Sequence, residues 1–305
     1  MHPYLEKIKN TFKDPQNIIL GIIFLVAIIV RLYYLNINST VWWDEAEYLS
    51  IAKYWITNIP YEVGGQRSPF FPLLVYIFML LSGGSEIVVR FFMSFLPSLG
   101  IVILTYILAK EFYNKKIAIL ATAFISIFWL LLFNVARIHV ESLVILFILL
   151  TLLSFYKAYV KEQGTKWYYL MGLFMGLAFL TKFTASLTGF TLLAFVLIKD
   201  KLKFLKNKHL WGALVIFFLV ITPYLIWSYT TFGTPFMFRT GSHVILDPSK
   251  INDAPIGWSI LAMLGDHFLV NIFFILFLIG ILTLGPLILS LDLILRNKTK
   301  EYLPD

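Results

Sequence analysis

Three carboxylates stand within four positions in the stretch VWWDEAEYLS, residues 41–50: Asp44, Glu45 and Glu47, directly behind Trp42 and Trp43. Tryptophans favour the depth of a membrane interface, and a carboxylate held at that depth is partly desolvated. Desolvation raises its proton affinity towards that of a useful general base. A structural account competes with this. Asp44-x-x-Glu47 has the spacing of a capping box, and acidic side chains in a first turn favour the helix macrodipole. The accounts are compatible, because a cap can hold one carboxylate rigid while its neighbour works. The helix that would begin there carries Tyr48, Ile51 and Trp55 on one face, a spacing suited to lying on a membrane surface.

Four more stretches carry groups that could act on such a site. In FNVARIHVES, Arg137, His139 and Glu141 crowd a short turn between apolar runs. Either Arg137 and Glu141 pair with each other at (i, i+4), or both face a cavity shared with Asp44. In GGQRSPFFP, Arg67 could snorkel to lipid phosphates, or offer its planar fork to a phosphodiester ligand. Lys182, in GLAFLTKFTAS, either marks a short turn or contributes a cation to the same place, and Arg239 and His243, in FGTPFMFRTGSH, are weaker candidates for substrate binding. No His-x-x-x-His pair, nucleotide-binding glycine loop or Ser/His/Asp constellation accompanies them, and the chain has no cysteine for a disulfide, thiolate site or nucleophile.

The elements that must position these residues are membrane helices. Of 305 residues, 59% are hydrophobic and only 14% charged, and the mean hydropathy is +0.83, far from the roughly 25% charged residues of a soluble domain. No stretch is left for a sizeable soluble domain, so residues 1–305 read as one membrane-embedded, all-α unit. Candidate spans lie at 17–35, 86–108, 117–134, 143–160, 167–183, 184–198, 210–229 and 267–291, eight in all. The first has no small-residue cleavage pattern and reads as a retained span. A further run at 69–81 has 13 residues and rises only about 20 Å, too little to cross.

Charge placement sets the topology. If 69–81 does not span, 17 of the 25 basic residues fall on one side, in the N-terminus and in short segments around Lys110–Lys116, Lys157–Lys166, Lys199–Lys208 and Arg296–Lys300. That side is then cytoplasmic. The run 69–81 becomes a half-inserted helix in a long outer segment, 36–85, with a second outer segment at 230–266. Both termini are cytoplasmic and every candidate residue above is outside. The net charge of +8 is thereby a topology signal, since the bases form no aromatic-interleaved patch of the kind nucleic acid requires.

Taken in order, Asp44-Glu45 after the first span, RSPFFPLL, ARIHVES and MGLFMGLAFLTK resemble the motifs of GT-C membrane glycosyltransferases. The branch in question contains the protein O-mannosyltransferases and the lipid A aminoarabinose transferases. The likeness runs from about residue 17 to 240. It implies that Asp44 is the catalytic acidic residue, with Glu45 completing its pair, and that Arg137 and Glu141 match an Arg and an acidic residue, usually Asp, of the second outer loop. Arg67 falls where the family contacts the lipid phosphate, and Lys182 is the lysine of a Leu-Thr-Lys motif. Aminoarabinose transferases use a Glu beside that basic residue to help bind zinc; Gln66 stands there instead. No cofactor is assigned on this basis, though the site leaves room for a divalent cation.

The resemblance implies a sugar donor linked to a polyprenyl phosphate, dolichyl or undecaprenyl, embedded among membrane lipids, and a glycan, lipid or protein acceptor. Catalysis would involve Asp44, Glu45 and Glu141. Arg67, Arg137 and Lys182 would bind the donor phosphate, with His139, Arg239 and His243 near the substrates. Family members commonly continue with further spans and an outer soluble domain, so eight helices correspond to the shared N-terminal module and leave a role open for a partner polypeptide. Two other classes fit an intramembrane polar cluster: a non-catalytic subunit that binds the lipid-linked sugar, and a transporter or lipid flippase, which would show inverted repeats and broken helices near the midplane.

Overall fold

The computed structural model describes residues 14–37, 40–57, 68 and 70–232, all within a compact unit spanning Met1–Ile245. Arg67, Arg239, His243, the span expected at 267–291 and nearly all of the outer segment 230–266 lie outside the described residues. Among the described residues every regular element is helical. In chain order these are α1 (Pro15–Leu35), α2 (Trp43–Thr57), α3 (Phe70–Leu81), α4 (Glu86–Phe112), α5 (Lys115–Ser126), α6 (Trp129–Val135), α7 (Val140–Val160), α8 (Thr165–Thr181), α9 (Phe183–Lys206) and α10 (Lys208–Phe232).

Five of these, α1, α4, α7, α9 and α10, are long and apolar enough to cross a membrane, and α5 with α6 makes a sixth if the pair, bent by 52°, is one broken span. The spans expected at 17–35, 86–108, 117–134, 143–160, 184–198 and 210–229 fall on these helices. The one expected at 167–183 is α8, whose 17 residues rise only about 25 Å. Helix α3, with 12 residues, rises about 18 Å and is too short to cross.

Helix α2 differs from expectation in what its apolar face meets. Tyr48 and Ile51 are buried, not laid on the membrane surface. Tyr48 packs edge-on to Phe71 at 4.7 Å, and Trp55 faces Tyr76 at 6.0 Å. On α3 the buried residues Phe71, Val75 and Met79 recur every fourth position and form a ridge that covers the α2 stripe. Leu49, Val89, Met93, Ile138, Val140 and Ala178 complete the same core, so the site described below rests on packing among α2, α3, α4, α7 and α8.

Helices α8 and α10 touch at the backbone. A Cβ on Gly172 would lie 2.1 Å from the Ala213 carbonyl oxygen, and one on Gly176 would lie 2.8 Å from the Val220 Cβ. Small residues four apart permit the close approach that drives helix association where water supplies no hydrophobic force.

Two irregularities in the spans have identifiable causes. In α4 the turn Phe91–Phe95 is wound as a π-helix, with the Leu96 N–H bonded to the Phe91 carbonyl. Pro97 follows, has no N–H to donate, and prevents regular bonding at this point. The break between α5 and α6 is bridged by Arg31 of α1, which is fully buried. Its Nε donates to Ser98 Oγ at 2.8 Å, and its Nη1 donates to the Ser126 carbonyl at 2.8 Å and the Ala27 carbonyl at 3.1 Å. Its Nη2 reaches the Ile125 carbonyl at 3.4 Å. A helix end leaves carbonyls unsatisfied, and hydrocarbon offers no water to replace the lost bonds. The guanidinium supplies those donors and so fixes where α6 turns off towards residues 136–139. At the other end of the bundle Asp14, which caps α1 through the Gln16 N–H at 2.9 Å, forms an ion pair with Lys115 at the start of α5.

Candidate active site

The N-terminus of α2, residues 136–139 and the C-terminus of α8 meet at one end of the bundle, and Glu45 anchors the meeting. It is wholly buried. Its Oε1 accepts from Arg90 Nε of α4 at 3.2 Å and from the Ile138 N–H at 3.1 Å, while its Oε2 accepts from the Trp42 N–H at 3.4 Å. Because α2 starts at Trp43, the side chain that reaches back to close the first turn is Glu45, which corrects the expectation that Glu47 does so: the helix begins before Asp44 and the box is shifted accordingly. Arg90 is steadied by Glu86 on its own helix at 3.5 Å. The π turn that follows directs Ser94 to the Arg137 carbonyl, to which its hydroxyl donates.

Above this buried layer runs a chain of alternating acid and base. Asp44 is 39% exposed at its side chain, and its Oδ2 lies 3.2 Å from His139 Nε2. The other ring nitrogen, Nδ1, pairs with Glu141 Oε2, and Glu141 Oε1 accepts from Lys182 Nζ at 2.7 Å. Burial of His139 by itself disfavours the imidazolium, but the flanking Glu141 and Asp44 outweigh it, and the histidine pKa is raised above its usual 6.5. The positioning is local: His139 precedes the first turn of α7, Glu141 sits within that turn, and Lys182 follows the last residue of α8. Asp44, His139, Glu141 and Lys182 therefore come together as the sequence suggests. Their side chains engage one another, and among the described residues no group of three carboxylates or imidazoles is arranged to hold a metal ion.

Arg137 does not pair with Glu141. Its guanidinium lies over Phe133 at 3.8 Å and Trp42 at 4.2 Å, and its Nη1 donates to the Phe133 carbonyl at 3.1 Å. Trp42 in turn meets Phe133 edge-on at 5.1 Å. Burial draws the pKa of Arg137 down, opposed by the charge of Glu45. Between two aromatic faces the cation gains attraction from both rings, and it holds Trp42, and with it the start of α2, against α6.

Sequence reasoning did not single out Arg90, Arg31 or Ser68. The first two had one available signal: a cation inside an apolar run is costly and normally has a partner. Ser68 gave no such signal. It is buried and donates to the Leu180 carbonyl of α8, which brings the covalent neighbour of Arg67 to the helix end that carries Lys182.

The fold and site define a multi-pass helical membrane protein with a carboxylate, an imidazole and a cation linked at one end of its bundle. The chain belongs to the dolichyl-phosphate-mannose-protein mannosyltransferase family, whose sequence signature matches residues 66–227, a little over half of its length. It is accordingly a membrane glycosyltransferase. No curated protein and no solved structure matches it significantly. The matched region contains Arg67, Arg90, Arg137, His139, Glu141 and Lys182 but begins after Asp44 and Glu45, which are tied to it through His139 and Arg90.

Proposed function

We propose that this glycosyltransferase takes its sugar from a polyprenyl phosphate, with Asp44 as general base and Lys182 on the leaving phosphate. The observation that carries this reading is the continuous chain Asp44–His139–Glu141–Lys182. It sets an accessible carboxylate and a half-exposed cation on one rim, above the buried layer around Glu45. The acceptor hydroxyl oxygen attacks the anomeric carbon while Asp44 takes the hydroxyl proton. The bond from that carbon to the phosphate oxygen breaks, and the polyprenyl phosphate leaves with an added negative charge. Attack opposite the leaving group inverts the anomeric centre.

Each neighbour has a separate task. His139 holds Asp44 Oδ2 and so fixes the carboxylate that takes the acceptor proton. Glu141 favours the charged form of His139 and steers Lys182, whose ammonium stabilises the leaving phosphate. Arg67 joins Lys182 in that role, supported by the contact of its neighbour Ser68 with Leu180. Glu45 and Arg137 are positioning residues: the first is wholly enclosed and the second is held between rings. The rim faces the outer side, because the lysine-rich turns preceding α5, α8 and α10 lie at the opposite end and suit the cytoplasmic side.

The test is turnover by purified protein supplied with a dolichyl- or undecaprenyl-phosphate sugar, with product anomers resolved. Replacing Asp44 by Asn keeps the shape of the side chain and removes the base. Turnover should fall by about 10²- to 10⁴-fold, the range typical of a lost general base. Equal turnover by D44N, or retention of anomeric configuration, would refute the mechanism.

A further inference from the structure

A second binding site lies away from the acid–base chain. Helix α9 stands off from the tight α8–α10 pair. Of its regular helical residues only Val196 is buried, while Leu187, Phe190, Leu193 and Ile198 are exposed. The gap is a cavity of about 660 Å³, walled by residues including Met175, Gly189, Phe190, Val196, Phe204 and Phe217. Its polar side chains are few, Thr151, Ser186 and Trp211, and two of them are turned to backbone: Thr151 donates to the Phe147 carbonyl at 2.8 Å, and Trp211 Nε1 donates to the Leu205 carbonyl at 2.8 Å. Such a wall offers nothing to a sugar or a nucleotide and suits a hydrocarbon chain. Gly189 contributes to the opening, since a Cβ there would meet only the end of Met175, at 3.4 Å.

The charge at one mouth of the cavity identifies the occupant. Phe204, Leu205, Leu210 and Trp211 line it, and interleaved with them are Lys201, Lys203, Lys206 and Lys208, all exposed. None of the four forms an ion pair among the described residues. The carboxylate that precedes them, Asp200, accepts from the Tyr159 hydroxyl. This mouth is at the far end of α9 from Phe183, which follows Lys182, and hence far from the catalytic rim. We infer that the crevice between α9 and the α8–α10 pair binds an anionic phospholipid, its acyl chain among the apolar residues and its headgroup phosphate on the lysines of 201–208. The donor lipid is set apart by polarity of placement, and here the inference rests on the proposed function, which puts the donor phosphate at Lys182, at the other end. Basic residues beside an apolar surface recognise anionic headgroups at about a factor of five in affinity per lysine. The inference does not depend on the assignment of Asp44.

The experiment measures lipid bound to the whole purified chain by native mass spectrometry, after exchange in mixed micelles of phosphatidylglycerol and phosphatidylcholine. The wild type should retain phosphatidylglycerol in preference. The triple variant Lys203→Gln/Lys206→Gln/Lys208→Gln should lose that preference by roughly 100-fold, following the factor of five per lysine. Gly189→Leu, which inserts a side chain into the cavity, should lower retention of both lipids. The lysine variant changes only exposed positions, so it keeps the test valid even if Gly189→Leu fails to fold. Equal retention of both lipids by wild type, no retained lipid, or displacement of phosphatidylglycerol by polyprenyl phosphate would each overturn the inference.

Discussion

Glu45→Gln isolates what the buried layer contributes. In the native protein this carboxylate, with no exposure to solvent, accepts from Arg90 Nε at 3.2 Å, the Ile138 N–H at 3.1 Å and the Trp42 N–H at 3.4 Å. The amide has nearly the same volume, so no cavity opens. It removes the charge facing Arg90 and sets an N–H₂ against one of the two backbone donors. Breaking one member of a buried pair costs about 3–5 kcal/mol. Arg90 retains Glu86 at 3.5 Å, which brings the expected loss to the lower end, about 3 kcal/mol. At about 2–4 °C per kcal/mol for a chain of this order of size, the unfolding midpoint in detergent should drop by roughly 6–12 °C. Adding Arg90→Met to Glu45→Gln removes the stranded cation, and the double variant should recover part of the loss, with a coupling of about 1–3 kcal/mol. The assay is thermal unfolding of the four proteins of this cycle, alongside D44N, which should unfold at the wild-type temperature. An unchanged midpoint for Glu45→Gln, or strictly additive effects in the cycle, would refute the claim that Glu45 is the anchor of the site.

Four further outcomes follow from the same geometry. His139 has a raised native pKa, so its stabilising charge is fully present below its ordinary value of about 6.5 and is lost as pH rises through the higher native value; unfolding midpoints compared between wild type and His139→Gln should converge as pH climbs, and parallel curves would contradict this. With Lys182 on the leaving phosphate as proposed, Lys182→Arg, which keeps a cation, should retain a measurable part of the turnover while Lys182→Met loses at least about tenfold; wild-type turnover by Lys182→Met would remove Lys182 from the mechanism. Gly172→Ala should destabilise by about 1–3 kcal/mol, because its Cβ would lie 2.1 Å from a backbone oxygen, whereas Gly189→Ala should leave the midpoint within error. Arg31→Met should destabilise by about 3 kcal/mol or more by leaving the Ser126 and Ile125 carbonyls and the Ser98 hydroxyl without their donor, and an unchanged midpoint would show that the α5–α6 break needs no such support.

The membrane class and the all-helical architecture were legible from the chain alone, with six of the eight expected spans falling on helices long enough to cross, the bent α5–α6 pair counted as one, while the gathering of Asp44, His139, Glu141 and Lys182 was one of the alternatives that the residues left open. Apolar length is a local property, and ionisable residues at the ends of apolar runs are costly enough to stand out. Their pairing was not legible. Arg137 and Glu141 are correctly spaced for a salt bridge on one helix, yet Ala136–His139 is not helical, so the spacing argument has no helix to act on and each residue finds a partner elsewhere. The cap departs from the Asp44–Glu47 spacing for a related reason, since the helix starts before Asp44 and Glu45 turns inward to Arg90, 45 positions away in sequence. What sequence determined by itself is most of the set of helices and which of their ends carry ionisable groups, because hydrophobic length and charge placement are read residue by residue. Only the tertiary structure decided that Glu45 is buried, that Arg31 bridges a broken span and that α9 stands apart from α8 and α10. These outcomes depend on which donors, rings and backbones meet across the bundle, and no local pattern records that.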